Sequence, residues 1–215
     1  MGDFFMSLVE RTDQARRDFE THPVALGAVA DGLSVERYRN LLLELYQIVW
    51  HFNPICAAAA SRLPDEHREL RYFLYRHMAE ESGHELWVGN DLEAIGVGEA
   101  AVLSHQPLAD TLALTGYNHW SADRRNPCSV FGMMYVLEVI ASVYGGAFAA
   151  AVRESLLLVG ERGVSFIGSH ATLDAEHMAD LRKILRTIED EEAREAIVES
   201  ALVNFEFVTR IFATI

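Results

Sequence analysis

The chain has 215 residues, half of them hydrophobic, with 32 acidic side chains against 18 basic ones and a formal charge of -14. That length fits one domain with a substantial core, and the apolar share excludes a disordered chain. The acidic excess argues against nucleic acid or an anionic membrane surface as a partner, because both need clustered positive charge.

Residues 1–215 are read as a single domain. The opening MGDFFMSLVERTDQARRDF has no cationic segment followed by an apolar block, so no signal peptide is expected. A first helix is predicted over 3–20, closed by His22-Pro23. A short helix near 24–30 leads to Asp31-Gly32-Leu33-Ser34, a turn that ends in a serine N-cap. From Val35 the pattern is helical to about Arg62, and Pro54 inside it is expected to kink or locally break the helix. Cys56 reads as a small buried hydrophobe in that helix. Cys56 and Cys128 have no metal-site spacing and make no disulfide framework, so a reducing cytoplasm is the expected compartment.

Beyond Leu63-Pro64-Asp65 one long amphipathic stretch is expected from about 65 to 93, ending at Ile95-Gly96-Val97-Gly98. A helix follows over 107–122, then a turn at Arg124-Arg125-Asn126-Pro127. Residues 128–157 are strongly helical in composition, with Gly145-Gly146 as a bend point. Gly160 and Gly163 mark a break, and the last helices are expected over 169–188 and 191–213. Nothing alternates with period two for long enough to propose a sheet, and no apolar run reads as a membrane span. The class is therefore all-α.

Chemistry enters through two polar ladders set within helical segments. His77, Glu81 and His84 stand at i, i+4 and i+7, and His170, Asp174 and His177 repeat that spacing. On a continuous helix each set lies in a stripe roughly 60° wide and about 10 Å long. Each ladder contains a carboxylate three residues before a histidine, and two such pairs plus further glutamates are the donors of carboxylate-bridged di-iron bundles. Glu138 interrupts the apolar YVLEVIASVYG, where an isolated charge is expensive and a metal would compensate it. Glu44, in LLLELYQIVW, presents the same anomaly and is a candidate further ligand or a base behind the ligands.

This donor set, without thiolate, suits iron or manganese, although zinc can use it too. Six or seven donors favour two ions over one, and two irons a few ångströms apart can share the electrons that reduce dioxygen. Glu138, Glu44 and His51 are the candidates for catalytic roles. The competing explanations are ordinary. A lone carboxylate–histidine pair in an acidic protein is usually solvated surface, and Glu138 alone could sit in a buried salt bridge. His51, in IVWHFNP, either faces the site, points toward substrate, or packs beside Pro54. His22, His67, His105 and His119 read as structural or solvent-facing. No phosphate-cradling glycine loop and no nucleophile motif is present.

Through these residues the chain resembles the heme-oxygenase-like di-iron oxidases, also described as iron-containing redox enzymes and related in fold to thiaminase and PQQ-synthase proteins. The resemblance runs from HPVALGAVADGLSVERYRNLLLELYQIVWHF through EESGHELW and the Glu138 helix to FIGSHATLDAEHMADL. By position, His84, Glu138, His170, Asp174 and His177 match the family's metal-binding residues. Glu81 matches a variant with glutamate three residues before the first histidine; other relatives place it seven before, where this chain has His77. The resemblance implies a heme-oxygenase-like bundle of about seven helices, two irons, a cavity beside them and a homodimer. It implies dioxygen and a small-molecule substrate such as an amine, an amino-acid derivative or a fatty acid. Three internal carboxylates suit a porphyrin poorly. A metal-free or thiaminase-like enzyme, and a non-enzymatic metal-binding protein, stay open as alternatives.

Overall fold

The computed structural model describes residues 3–215, apart from the side chains of 172–175. Ten α-helices follow one another: α1 Phe4–Glu20, α2 Pro23–Asp31, α3 Val35–Arg62, α4 Arg68–Glu80, α5 His84–Ala94, α6 Glu99–Ser104, α7 Ala109–Arg124, α8 Val130–Ser155, α9 Ser165–Leu185 and α10 Glu191–Thr214. Single 3-10 turns at Asp65–His67 and Pro127–Ser129 lead into α4 and α8. Side chains cap several starts: Asp3 accepts from the Phe5 N–H, Ser34 from Arg37 and Asp190 from Glu192.

Two differences from the sequence reading matter. The stretch expected as one helix over 65–93 is two, because α4 stops at Glu80 and α5 starts at His84 across a left-handed Gly83 with φ +93°. A short α6 also fills the glycine-bounded gap after α5. Pro54, in contrast, does not end its helix. The buried face of α3, with Ile48, Ile55, Cys56 and Ala59 against its neighbours, carries the helix through. Cys56 and Cys128 are free and buried.

Helix α8 is the axis of the bundle, packed against α2, α9 and α10. By length and composition Pro127–Ser155 could cross a membrane, which the sequence reading did not anticipate. In the fold it is a core helix, with Phe131, Met134, Tyr135 and Val136 enclosed and Glu138 buried among them. Its glycines set how closely its partners approach. A Cβ at Gly145 would stand 3.3 Å from the Ile167 carbonyl of α9, and one at Gly132 would stand 2.3 Å from the Ile197 carbonyl of α10. Helices α8 and α9 run antiparallel: Gly145 faces Ile167 and Ala171, while Glu138 meets His177.

Because the two nearest atoms facing Gly132 are backbone, a methyl group there must push α10 away. Gly132→Ala is expected to destabilise the protein by about 1–3 kcal/mol, read as a lower midpoint in urea with the helical circular-dichroism signal retained.

Candidate metal centre

The first ladder is built by a helix break instead of a continuous helix. Glu81 caps α4, its N–H bonded to the His77 carbonyl at 2.9 Å, and Gly83 turns the chain so that His84 opens α5. Side chains on two helices thereby converge with His170 and His177 of α9 and Glu138 of α8. Two donor groups result. His77, Glu81, Glu138 and His177 form one, and Glu81, His84 and His170 form the other, each with donor atoms within 4.8 Å of one another.

Glu81 belongs to both and gives one oxygen to each. Its Oε1 lies 3.4 Å from His177 Nδ1 and 3.9 Å from His77 Nε2. Its Oε2 lies 2.6 Å from His84 Nδ1 and 3.6 Å from His170 Nε2. Glu138 Oε1 completes the first group at 3.5 Å from His77 Nε2 and 3.4 Å from His177 Nδ1. Donor atoms about 2.1 Å from one ion, at tetrahedral or octahedral angles, stand about 3.0–3.4 Å apart, close to the spacing of both groups.

Burial and tautomers agree with this geometry. His170 Nδ1 donates to the Phe166 carbonyl at 2.8 Å, which turns Nε2 toward Glu81 and His84. Glu138 Oε2 and His77 Nε2 are buried with no hydrogen-bond partner, a costly arrangement that a shared cation would relieve. Burial, reinforced by the neighbouring imidazoles and opposed by Glu81, lowers the His77 pKa to about 4, so the ring is a neutral ligand. Burial raises the Glu138 carboxyl. Burial also acts upward on Glu81, but the imidazoles of His170 and His84 outweigh it and hold this carboxyl well below its ordinary range. His77 stacks on Phe73, and Trp87 stacks on His84 with ring centroids 4.1 Å apart.

A cavity of about 290 Å³ lies beside the centre. Glu81, Glu138 and His170 reach its wall, and apolar residues of α2, α3, α8, α9 and α10 make up most of the rest. Tyr144 also lines it, bonded to Glu20.

The other sequence candidates sit elsewhere. Glu44 lines the cavity but not the donor groups: it accepts from His105 Nε2 at 2.7 Å and from the Leu108 N–H at 3.1 Å. His51 lies outside the cavity wall, its Nδ1 3.1 Å from His119 Nε2 across the α3–α7 contact. Asp174 falls in the stretch 172–175, outside the described residues. Asp91 escaped the sequence reading. Buried on α5, it accepts from the Gly163, Ser165 and Phe166 N–H groups and from the Ser165 hydroxyl, fixing the start of α9 only a turn before His170. No local signal marks it, because its partners lie 72–75 residues away.

The family model described as iron-containing redox enzyme matches residues 39–207. A search of curated proteins returns no match. Among solved structures, a domain of unknown function with a heme oxygenase-like fold from Shewanella denitrificans superposes with a TM-score of 0.85 at 22% identity, over 100% of this chain and 92% of that one. A TenA homologue from Pseudomonas syringae gives 0.83 at 13% identity, over 98% and 91%. Heme oxygenase from Leptospira interrogans gives 0.81 at 15% identity, over 100% of both chains. These likenesses establish a heme oxygenase-like fold.

The division of Glu81 between two donor groups generates a specific expectation. Glu81→Ala should abolish tight metal binding at both groups, whereas His84→Ala should spare the His77–Glu138–His177 group and leave about half the bound metal. Metal-to-protein ratios after dialysis, by plasma mass spectrometry, check this.

Proposed function

The chain belongs to the iron-containing redox enzymes, and from that premise we propose that it is a non-heme di-iron oxidase or oxygenase acting on a small, largely apolar organic substrate. The observation that carries the reading is Glu81, whose two oxygens face two separate sets of imidazoles. A single ion would use one set, and a porphyrin would use one axial histidine; a carboxylate shared between two sets is the donor pattern of an ion pair. His77, Glu138 and His177 would hold one iron with Glu81 Oε1. His84 and His170 would hold the other with Glu81 Oε2, and the sequence pattern adds Asp174.

The iron pair, when bound, supplies the electrons for dioxygen chemistry. The chain's own residues do the rest. Phe52, Ile48, Leu137, Ile140 and Phe166 give the substrate an apolar berth and keep water from the reacting face. The Phe166 carbonyl holds the proton on His170 Nδ1, so the opposite nitrogen faces the centre. Packing of Phe73 and Trp87 fixes the planes of His77 and His84. The reading includes dioxygen as co-substrate, a reducing cytoplasm and a homodimer. A thiaminase-like reaction through a thiol has little support here, because neither cysteine lines the cavity and burial pushes the Cys56 thiol far up.

Anaerobic loading with Fe(II) is expected to give two irons per chain, and air should then change the optical and Mössbauer spectra. Glu138→Ala should suppress that change. Protein that takes up no iron, or that holds iron inert to oxygen, would sink the proposal.

A further inference from the structure

The cavity is apolar along most of its length but carries a buried acid away from the metal centre. Along α3, Leu41, Glu44, Leu45, Ile48, Val49 and Phe52 face it. Phe52 marks the metal end, its ring 5.6 Å from that of His77. Glu44 lies eight residues earlier on the same helix, so it stands about 12 Å up the cavity at 1.5 Å per residue. Antiparallel α8 agrees, since Phe148 lies beyond Glu44 against Tyr38, ten residues past Glu138.

Glu44 is only 2% exposed. His105 and the Leu108 N–H take one acceptor site on each oxygen, and a carboxylate offers about four such sites. The remaining capacity is available on a side chain that lines the cavity. Among the described residues lining the cavity there is no lysine or arginine. An anionic group at this level would meet the acceptor oxygens of a buried carboxylate, with no lysine or arginine on the wall to receive it. A cationic donor would meet a charge-assisted partner held in place from behind.

We infer that Glu44, positioned by His105, is a second polar subsite that binds a primary ammonium at the far end of an apolar substrate whose other end lies at the metal centre. Glu44 is then a specificity residue, and the substrate class narrows to aliphatic amines. The inference rests on the metal pair being the reacting end, but the subsite itself binds without iron.

The test uses the full chain incubated with Zn(II), a redox-inert ion expected at the donor groups of Glu81 and Glu138. Calorimetry compares octylamine, 1-octanol and octanoate on the wild type, Glu44→Gln and Glu44→Asp. Octylamine is expected to bind at least about tenfold more tightly than 1-octanol, the effect of one charge-assisted hydrogen bond. Glu44→Gln keeps the shape and should remove that preference, while Glu44→Asp keeps the charge and should retain part of it. Thermal melting of the ligand-free variants checks that they fold. No octylamine binding, equal binding of amine and alcohol, tighter binding of octanoate than of octylamine, or a preference that survives in Glu44→Gln overturns the inference. Zinc stoichiometry reports on the metal reading independently: bound zinc without an amine preference defeats only the subsite. An amine preference that depends on Glu44 in a chain that binds no metal defeats only the centre.

Discussion

Two carboxylates, Glu81 and Glu138, sit inside an apolar helical bundle, and the architecture around them answers the cost of that burial. An unpaired charge in such a place is strongly unfavourable. Among the described residues, neither glutamate has a lysine or arginine in ion-pair range; the basic side chains in that range are all imidazoles. Imidazolium cannot supply all of the balance, because burial among like groups keeps His77 neutral at ordinary pH. Divalent ions at the two donor groups would resolve the imbalance, one facing each oxygen of Glu81.

Holding such donors within a few ångströms demands control of where helices begin. Gly83 is the clearest case: its φ of +93° is strained for a residue with a side chain, and it lets α5 leave α4 at an angle that returns His84 to Glu81. Asp91 does the same service at a distance by holding the N–H groups at the start of α9. Tyr38 adds a hydroxyl bond to the Gly163 carbonyl in that same turn. Gly145 then lets α9 lie close enough to α8 for His177 to reach Glu138. These fixings lie outside the donor set, yet each decides a donor's position.

The sequence exposed what is local and concealed what is not. His170 and His177 are legible because they share one uninterrupted helix face, and Glu138 because its neighbours are apolar. The relation between Glu81 and His84 is periodic in sequence but arises across a break, so the i+4, i+7 ladder takes a different geometry from the one a continuous helix would give. His77 and Glu81, alternatives in the sequence, both fall in one donor group at the end of α4. Glu44 was visible as a charge in an apolar run. Its partner was not, because His105 is 61 residues away and reads on its own as structural or solvent-facing.

The centre has two unlike sides, and this gives its chemistry a direction. His77, His84 and His177 are backed by protein, with Phe73 and Trp87 against two of the rings. Glu81, Glu138 and His170 are the members that reach the cavity wall. A molecule in the cavity therefore approaches from the side of Glu81, Glu138 and His170. Carboxylates can change how many oxygens they offer an ion, whereas packed imidazoles are held in one orientation. With packed imidazoles behind and two carboxylates beside His170 in front, the proposed centre would have room to change its coordination on the cavity face.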